Sequence, residues 1–203
     1  LLINGSPHEK GCTYTALSLI AGELKAQGIE TEILHVGGQP VGGCIGCGGC
    51  RSGNGCVFGG VVNEAIEKAK TADAFVFGSP VHYASAAGNM ASFMDRLAYA
   101  GGKYLAYKPA AICCSARRAG TTSTLDQLVK YPQFFHMPLV NGSYWAMVHG
   151  SNPEQVLQDA EGCAVMQELG RNMAWLLRCI EAGKAAGIDH PQNPPRPMTS
   201  FIR

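Results

Sequence analysis

The chain has 203 residues, with 16 Lys and Arg against 15 Asp and Glu, giving a formal charge of +1. So neutral a balance offers no basic field to nucleic acid or anionic lipid, and neither is expected as a partner. Hydrophobic residues make up 46%, charged residues 15%, and glycines number 26, which describes a compact chain with many tight turns and argues against disorder.

Residues 1–3 read as a strand that is already under way, with no basic n-region or small-residue cleavage site of a secretory signal. A loop follows over 4–12, then a helix over 13–27, where Leu17, Ile20 and Leu24 recur at helical spacing and Gly28 stops it. Residues 31–36 form a short strand. The stretch 37–60 is too rich in glycine and cysteine for regular structure throughout. A helix is expected over 61–71 and a buried strand over 74–78. Another helix spans 88–98, where Met90, Phe93, Met94 and Leu97 make an apolar stripe. Residues 110–115 read as a buried strand, 121–129 as a helix, and 139–141 as the start of a fifth strand. Asn152-Pro153 opens a last helix that the pattern Leu169, Met173, Leu176, Leu177, Ile180 carries to Gly183. Five strand–helix alternations predict a parallel α/β sheet covered by helices on both faces. One domain over residues 1–189 accounts for all of this, with a Cys-rich insertion at 38–60 and an extended Pro-rich tail at 190–203.

Ligands of such sheets bind beyond the strands' carboxyl ends, near the point where strand order reverses. Three loops there have unusual content. Residues 4–13 (NGSPHEKGCT) offer hydroxyls at Ser6 and Thr13, and backbone N–H groups at a helix N-terminus, which suits a phosphate and equally an ordinary capped turn. Residues 78–85 (GSPVHYAS) put Pro80, His82 and Tyr83 directly after a strand, a stiff backbone with flat side chains suited to the edge of a ring system. Residues 115–121 (SARRAGT) place Arg117 and Arg118 after the fourth strand, where they suit an anion as well as they suit solvent.

The nine cysteines are an odd number, and four of them fall within thirteen positions as Cys44-x2-Cys47-x2-Cys50-x5-Cys56. In a chain with no visible signal, such clustering points to metal or redox chemistry in a reducing compartment, the cytoplasm. Four thiolates in a compact shell suit a [4Fe–4S] cube, whereas structural zinc more often takes two separated knuckles. Iron–sulfur, redox-active thiols and zinc all remain open on spacing alone. Cys12 at a helix start reads either as a thiol of depressed pKa or as a small buried filler.

The motifs NGSPHEKGCT, FVFGSPVHYASAAGNMASFMDR and CSARRAGTT together resemble the NADPH-dependent FMN reductase branch of the flavodoxin-like superfamily. The resemblance runs from Ile3 to about Ala182. It implies a three-layer sandwich with a five-stranded parallel sheet in the order 2-1-3-4-5, binding FMN. Ser6, His8, Gly11, Cys12 and Thr13 are then expected at the phosphate, Pro80, Val81, His82 and Tyr83 along the isoalloxazine, and Ser115, Ala116, Arg117 and Gly120 on its third side. His8 and Cys12 depart from that family's usual Arg or Lys and Asn. The cysteine spacing is similar to that of iron–sulfur flavoproteins, which share this fold. The resemblance implies an oxidoreductase taking hydride from NAD(P)H, with no catalytic acid or base needed on the protein. Electrons would pass to a quinone, a nitro or azo compound or a redox protein. The alternatives are a flavodoxin-type carrier without turnover of its own, which a charge of +1 fits poorly, and a zinc-stapled binding module. A homodimer or homotetramer is also expected, from the resemblance and the aromatic stretch Tyr131–Trp145.

Overall fold

The computed structural model describes residues 1–199. Strands β1 (Leu2–Asn4), β2 (Ile33–His35), β3 (Phe75–His82), β4 (Ser85–Ala86), β5 (Ala110–Ala116) and β6 (Met147–His149) form one sheet in the order β2-β1-β3-β5-β6, with β4 folded back on β3. All pairings except β3 with β4 are parallel. Successive side chains in a strand point to opposite faces. Ile3, Phe75, Phe77 and Ile112 enter one core, whereas Leu2, Val76, Ala111, Cys113 and Val148 enter the other. Burial on both faces explains why these strands read as continuous apolar runs.

Helix α1 (Cys12–Ala26) packs Leu17, Ile20 and Leu24 onto the second core, together with Leu169 and Met173. It stops as expected: Gly28 takes φ +79, and the N–H groups of Gly28 and Ile29 return to the carbonyls of Lys25 and Leu24. Helices α2 (Val61–Thr71), α3 (Gly88–Gly101) and α4 (Thr121–Phe134) cover the first core, α3 through Met90, Phe93, Met94 and Leu97. Helices α5 (Pro153–Val156) and α6 (Ala160–Ala185) complete the second layer.

The flavodoxin-like class stands, with particular differences. The sheet has a sixth strand, because residues expected as loop after Gly78 continue β3 to His82 and turn into β4. The fifth parallel strand does not begin at 139–141. Leu139 makes only an isolated bridge to Ala110, and the chain bows out at Gly142 and Ser143, where Glu168 holds Ser143, before pairing as β6 with Cys114–Ala116. Helix α4 runs past 129 to Phe134 and carries Pro132, buried one turn beyond Leu128, in its last turn. The last helix is two. Asn152 caps α5 through the Gln155 N–H, but the chain breaks at Leu157, and Asp159 starts α6 by accepting from the Gly162 N–H. Within 38–60 only Gly49–Ser52 is regular, as a 3-10 turn. The tail has no helix or strand from 190 to 199, and 200–203 lie outside the described residues. No helix among the described residues is long and apolar enough to cross a membrane.

Candidate functional site

Strand register brings the carboxyl ends together. Asn4 lies opposite both His35 and Gly78, Pro80 opposite Ser115, and Ala116 opposite His149. The loops after β1, β3 and β5 therefore leave one edge of the sheet. The chain steps from β1 out to β2 and then back across β1 to β3, which makes this edge the switch point.

The first loop is shaped from inside by Asn4, a fully buried residue that sequence reasoning passed over. Its Nδ2 donates to the Glu9 carbonyl at 2.9 Å, and its Oδ1 accepts from the Ser6 N–H at 3.1 Å. The polar residue closing an apolar strand was the available signal. Ser6 is buried and its Oγ accepts from the His8 N–H. His8 and Lys10 are exposed, and Gly11 is the N-cap of α1. That helix starts with no side-chain cap and no acidic residue in its first turn. The N–H groups of Cys12, Thr13 and Tyr14 have no protein acceptor among the described residues, leaving an open cradle at the positive end of the helix dipole.

Two residues of this loop behave differently from expectation. Burial, with the Glu154 carboxylate adding to it, pushes the Cys12 thiol above its ordinary value, so the helix N-terminus does not make it a thiolate. Its Sγ donates instead to the Gly150 carbonyl at 3.5 Å. Thr13 is 1% exposed, and its hydroxyl pairs with Ser115 Oγ at 2.8 Å, which ties the first loop to the third. Thr13→Val is expected to strand the buried Ser115 hydroxyl and lower stability by about 1–3 kcal/mol. Adding Ser115→Ala should recover much of that loss in denaturant unfolding, and an unchanged single variant would remove the pair from this account.

In the second loop, Tyr83 and Ala84 connect β3 and β4 as a two-residue turn with φ of 48° and 58°. Two non-glycine residues in the left-handed region are a strained form of a type I′ turn. Tyr83 is fully exposed, while Pro80 and Val81 are half-buried and His82 is exposed. Neighbours over-determine the strain. Gln127 of α4 accepts from the Ser85 hydroxyl and the Ala86 N–H, Ser123 donates to the Ala84 carbonyl, and Ser79 Oγ donates to the Pro80 carbonyl while accepting from the Ala87 N–H. Replacing Tyr83-Ala84 by Asn-Gly is expected to relieve the turn by about 1–2 kcal/mol, read as a raised melting temperature, and to weaken any function of the exposed ring. A lower melting temperature would contradict the strain.

In the third loop, Ser115 and Ala116 end β5 inside the sheet, Arg117 and Arg118 are exposed, and Gly120 caps α4 at φ +93. The edge thus joins backbone donors, a locked hairpin with one free aromatic face, and two solvent-facing guanidinium groups. That suits a ligand with a phosphate at one end and a flat ring at the other. A family profile described as NADPH-dependent FMN reductase matches residues 1–152. The chain belongs to this family. An iron–sulfur flavoprotein of Methanocaldococcus jannaschii is 26% identical over 187 residues, covering 88% of this chain and 97% of that protein. Among solved structures, RosB with bound 8-demethyl-8-formylriboflavin-5'-phosphate aligns with a TM-score of 0.70 at 14% identity, over 100% of this chain and 92% of that one. An NADH:FMN oxidoreductase aligns at 0.61 and 19% identity, over 88% and 87%. Both likenesses concern the flavodoxin-like fold.

The FMN reductase family's cofactor has a fitting cradle at this edge: the uncapped start of α1 for a phosphate, and the hairpin for a ring. The four clustered cysteines lie elsewhere, over α2 and α3. Cys44 and Cys47 are exposed, Cys50 and Cys56 half-buried. In kind they suit a sulfur-ligated centre, and left-handed Gly46, Gly48, Gly53 and Gly55 let the chain wind tightly between them. Yet among the described residues no group of three His, Cys, Asp or Glu side chains stands at metal-binding reach, so the thiols are not drawn into a ligand set. Cys113 and Cys114 are core thiols. Burial pushes Cys113 far up and Cys114 up to about 12. In metal-free protein, alkylation is expected to label Cys44 and Cys47 and to spare Cys113 and Cys114, which mass spectrometry of the folded chain would check.

Proposed function

We propose that the chain is an FMN-dependent oxidoreductase that accepts hydride from NAD(P)H and passes electrons to a small-molecule acceptor of the quinone, nitro or azo class or to a redox protein. The observation carrying this reading is the meeting, at one sheet edge, of an uncapped helix N-terminus with a strained hairpin held against α4. FMN, when bound, supplies hydride acceptance at N5 and release of electrons singly or in pairs. The chain's own part is to bind and orient. The N–H groups at the start of α1 would hold the phosphate, with His8 and Lys10 of the same loop as the nearby basic residues. Pro80 and Val81 would line the ring's edge, and Ser115, paired with Thr13, fixes the first and third loops to each other.

Exposed Arg117 and Arg118 favour a reductase over a pure electron carrier, because two cations at the mouth of the site attract an anionic dinucleotide. The second part of the reading is that Cys44, Cys47, Cys50 and Cys56 close on a [4Fe–4S] cluster, supported by their spacing and by the iron–sulfur flavoproteins among the relatives. Anaerobic preparation with iron, sulfide and FMN tests both parts. A flavin spectrum bleached by NADH or NADPH supports the reductase. A flavin reducible only by dithionite or a partner protein would favour the carrier, and zinc without sulfide would overturn the cluster. Phe134, Tyr144 and Trp145, each more than half exposed, are where a second copy is expected to pack. A monomeric mass by light scattering at micromolar concentration would contradict that contact.

A further inference from the structure

In a parallel strand, successive residues turn their N–H and C=O groups to opposite neighbours. In β5 the phase is set by the Phe75 N–H, which donates to the Pro109 carbonyl, so Ala111 and Cys113 serve β3. Ala110, Ile112, Cys114 and Ala116 face the other way, towards the chain that becomes β6. The Ala110 N–H donates to the Pro138 carbonyl, and its own carbonyl accepts from the Val140 N–H. The Cys114 N–H donates to the Ala146 carbonyl, and the Ala116 carbonyl accepts from the Gly150 N–H. Between these pairings, the Ile112 N–H and C=O meet no protein partner among the described residues.

The bow at Gly142 and Ser143 makes this gap. An unbroken parallel pair that starts with Val140 on Ala110 would bring the Gly142 carbonyl to the Cys114 N–H. The Ala146 carbonyl stands there instead, so four residues are looped out and nothing lies opposite Ile112. Ile112 is 8% exposed, and a buried donor and acceptor left unpaired cost stability. Between the bow and α4 the gap opens into a cleft of about 420 Å³, lined by Leu125 and Val129 of α4, by Val140 and Ala146, and by Tyr144 and Trp145. One or two waters could bridge the Ile112 groups, but water filling the rest would face apolar walls without partners. None of the cleft's lining residues belongs to the three loops of the flavin edge.

We propose that this cleft is a second small-molecule site, for an uncharged flat ring that bears an amide. The amide N–H donates to the Ile112 carbonyl, its oxygen accepts from the Ile112 N–H, and the ring lies against Trp145. An apolar cleft with a few convergent polar groups is the usual form of such a site. The gap selects an amide because it offers one donor and one acceptor side by side. A carboxylate only accepts, which leaves the Ile112 carbonyl unpaired. It also meets Asp126, the one charged residue lining the cleft, and no cation. The site does not depend on the flavin reading.

The test titrates the full isotope-labelled chain with benzamide and, separately, with N,N-dimethylbenzamide, which keeps the ring and the oxygen but has no N–H. Amide and indole resonances are followed by NMR. Benzamide at millimolar concentration should shift the Ile112 amide and the Trp145 indole together, in one saturable curve. N,N-dimethylbenzamide should bind about tenfold more weakly or worse, because it leaves the Ile112 carbonyl without a donor. Val129→Phe, which fills the cleft from α4, should abolish the benzamide shift at Ile112. Equal affinities for the two probes would overturn the amide assignment. An Ile112 resonance that benzamide leaves in place, whether water or a second copy of the chain occupies the cleft, would overturn the site itself. If Val129→Phe fails to fold, the comparison of the two probes on wild type still decides.

Discussion

Gly37→Ala is expected to weaken FMN binding by tenfold or more, an effect of about 1.4 kcal/mol at least. Gly37 follows β2 and lies against the backbone of the first loop. A Cβ there would stand 2.1 Å from the Ser6 carbonyl oxygen, 2.4 Å from its carbon and 2.6 Å from the Gly5 oxygen. Every one of these atoms is backbone, so no rotamer relieves the overlap and the loop itself must shift. The displaced carbonyl is the one that His35 Nε2 meets at 2.7 Å, and the Ser6 hydroxyl that orders His8 moves with it. Gly22→Ala, farther along α1, is the control, because its Cβ would meet nothing within 4 Å. Titration of FMN into apoprotein, followed by flavin fluorescence, should separate the two variants clearly. Equal affinities would mean that the first loop does not hold the phosphate.

Gly120→Ala is expected to damage the other end of the site comparably. The left-handed φ of +93 penalises any side chain, and the new Cβ would lie 2.6 Å from Ala84 Cα and 2.8 Å from Val81 Cγ1. The turn at Tyr83-Ala84 is already strained and is held down by Ser123 and Gln127, so it is the element that must lift. The variant should lose roughly 2–3 kcal/mol of stability, from strain of order 1–3 kcal/mol with overpacking added. It should also bind FMN more weakly than wild type. Ser123→Ala, which removes one tether and adds no overlap, should do measurably less. A Gly120→Ala protein with wild-type melting temperature and flavin affinity would show that the hairpin is not seated on α4 as described.

Much of this architecture was legible in the residues, for identifiable reasons. Strands buried on both faces announce themselves as apolar runs, which is how residues 74–78 and 110–115 were found. The stripe from Met90 to Leu97 and the stop at Gly28 carried their helices in the same way. What escaped were features decided by tertiary hydrogen bonds. Glu168 draws Ser143 out of line and delays the last strand to Met147, and Asp159 restarts a helix that apolar periodicity alone would run straight through. The hairpin at Tyr83-Ala84 carries no Asn-Gly signature, because its left-handed turn is imposed by α4 rather than by its own residues. At the site, loop content correctly marked which residues would share an edge. It did not reveal that Thr13 faces Ser115, that burial outweighs the helix dipole at Cys12, or that Asn4, Ser79 and Gln127 hold the loops in shape. Each of those depends on which residue lies across the fold, and one-dimensional spacing does not encode that.

Amide hydrogen exchange of the whole chain, with and without FMN, tests whether the flavin binds at the edge where the loops after β1, β3 and β5 meet. One flavin per chain is expected, with protection gained over residues 9–14, 80–86 and 115–121. No such protection is expected at the opposite edge, in the groove that Leu1, Ala74, Pro109 and Pro138 help line. Protection confined to that groove, or no change anywhere at micromolar FMN, would contradict binding at the loop edge.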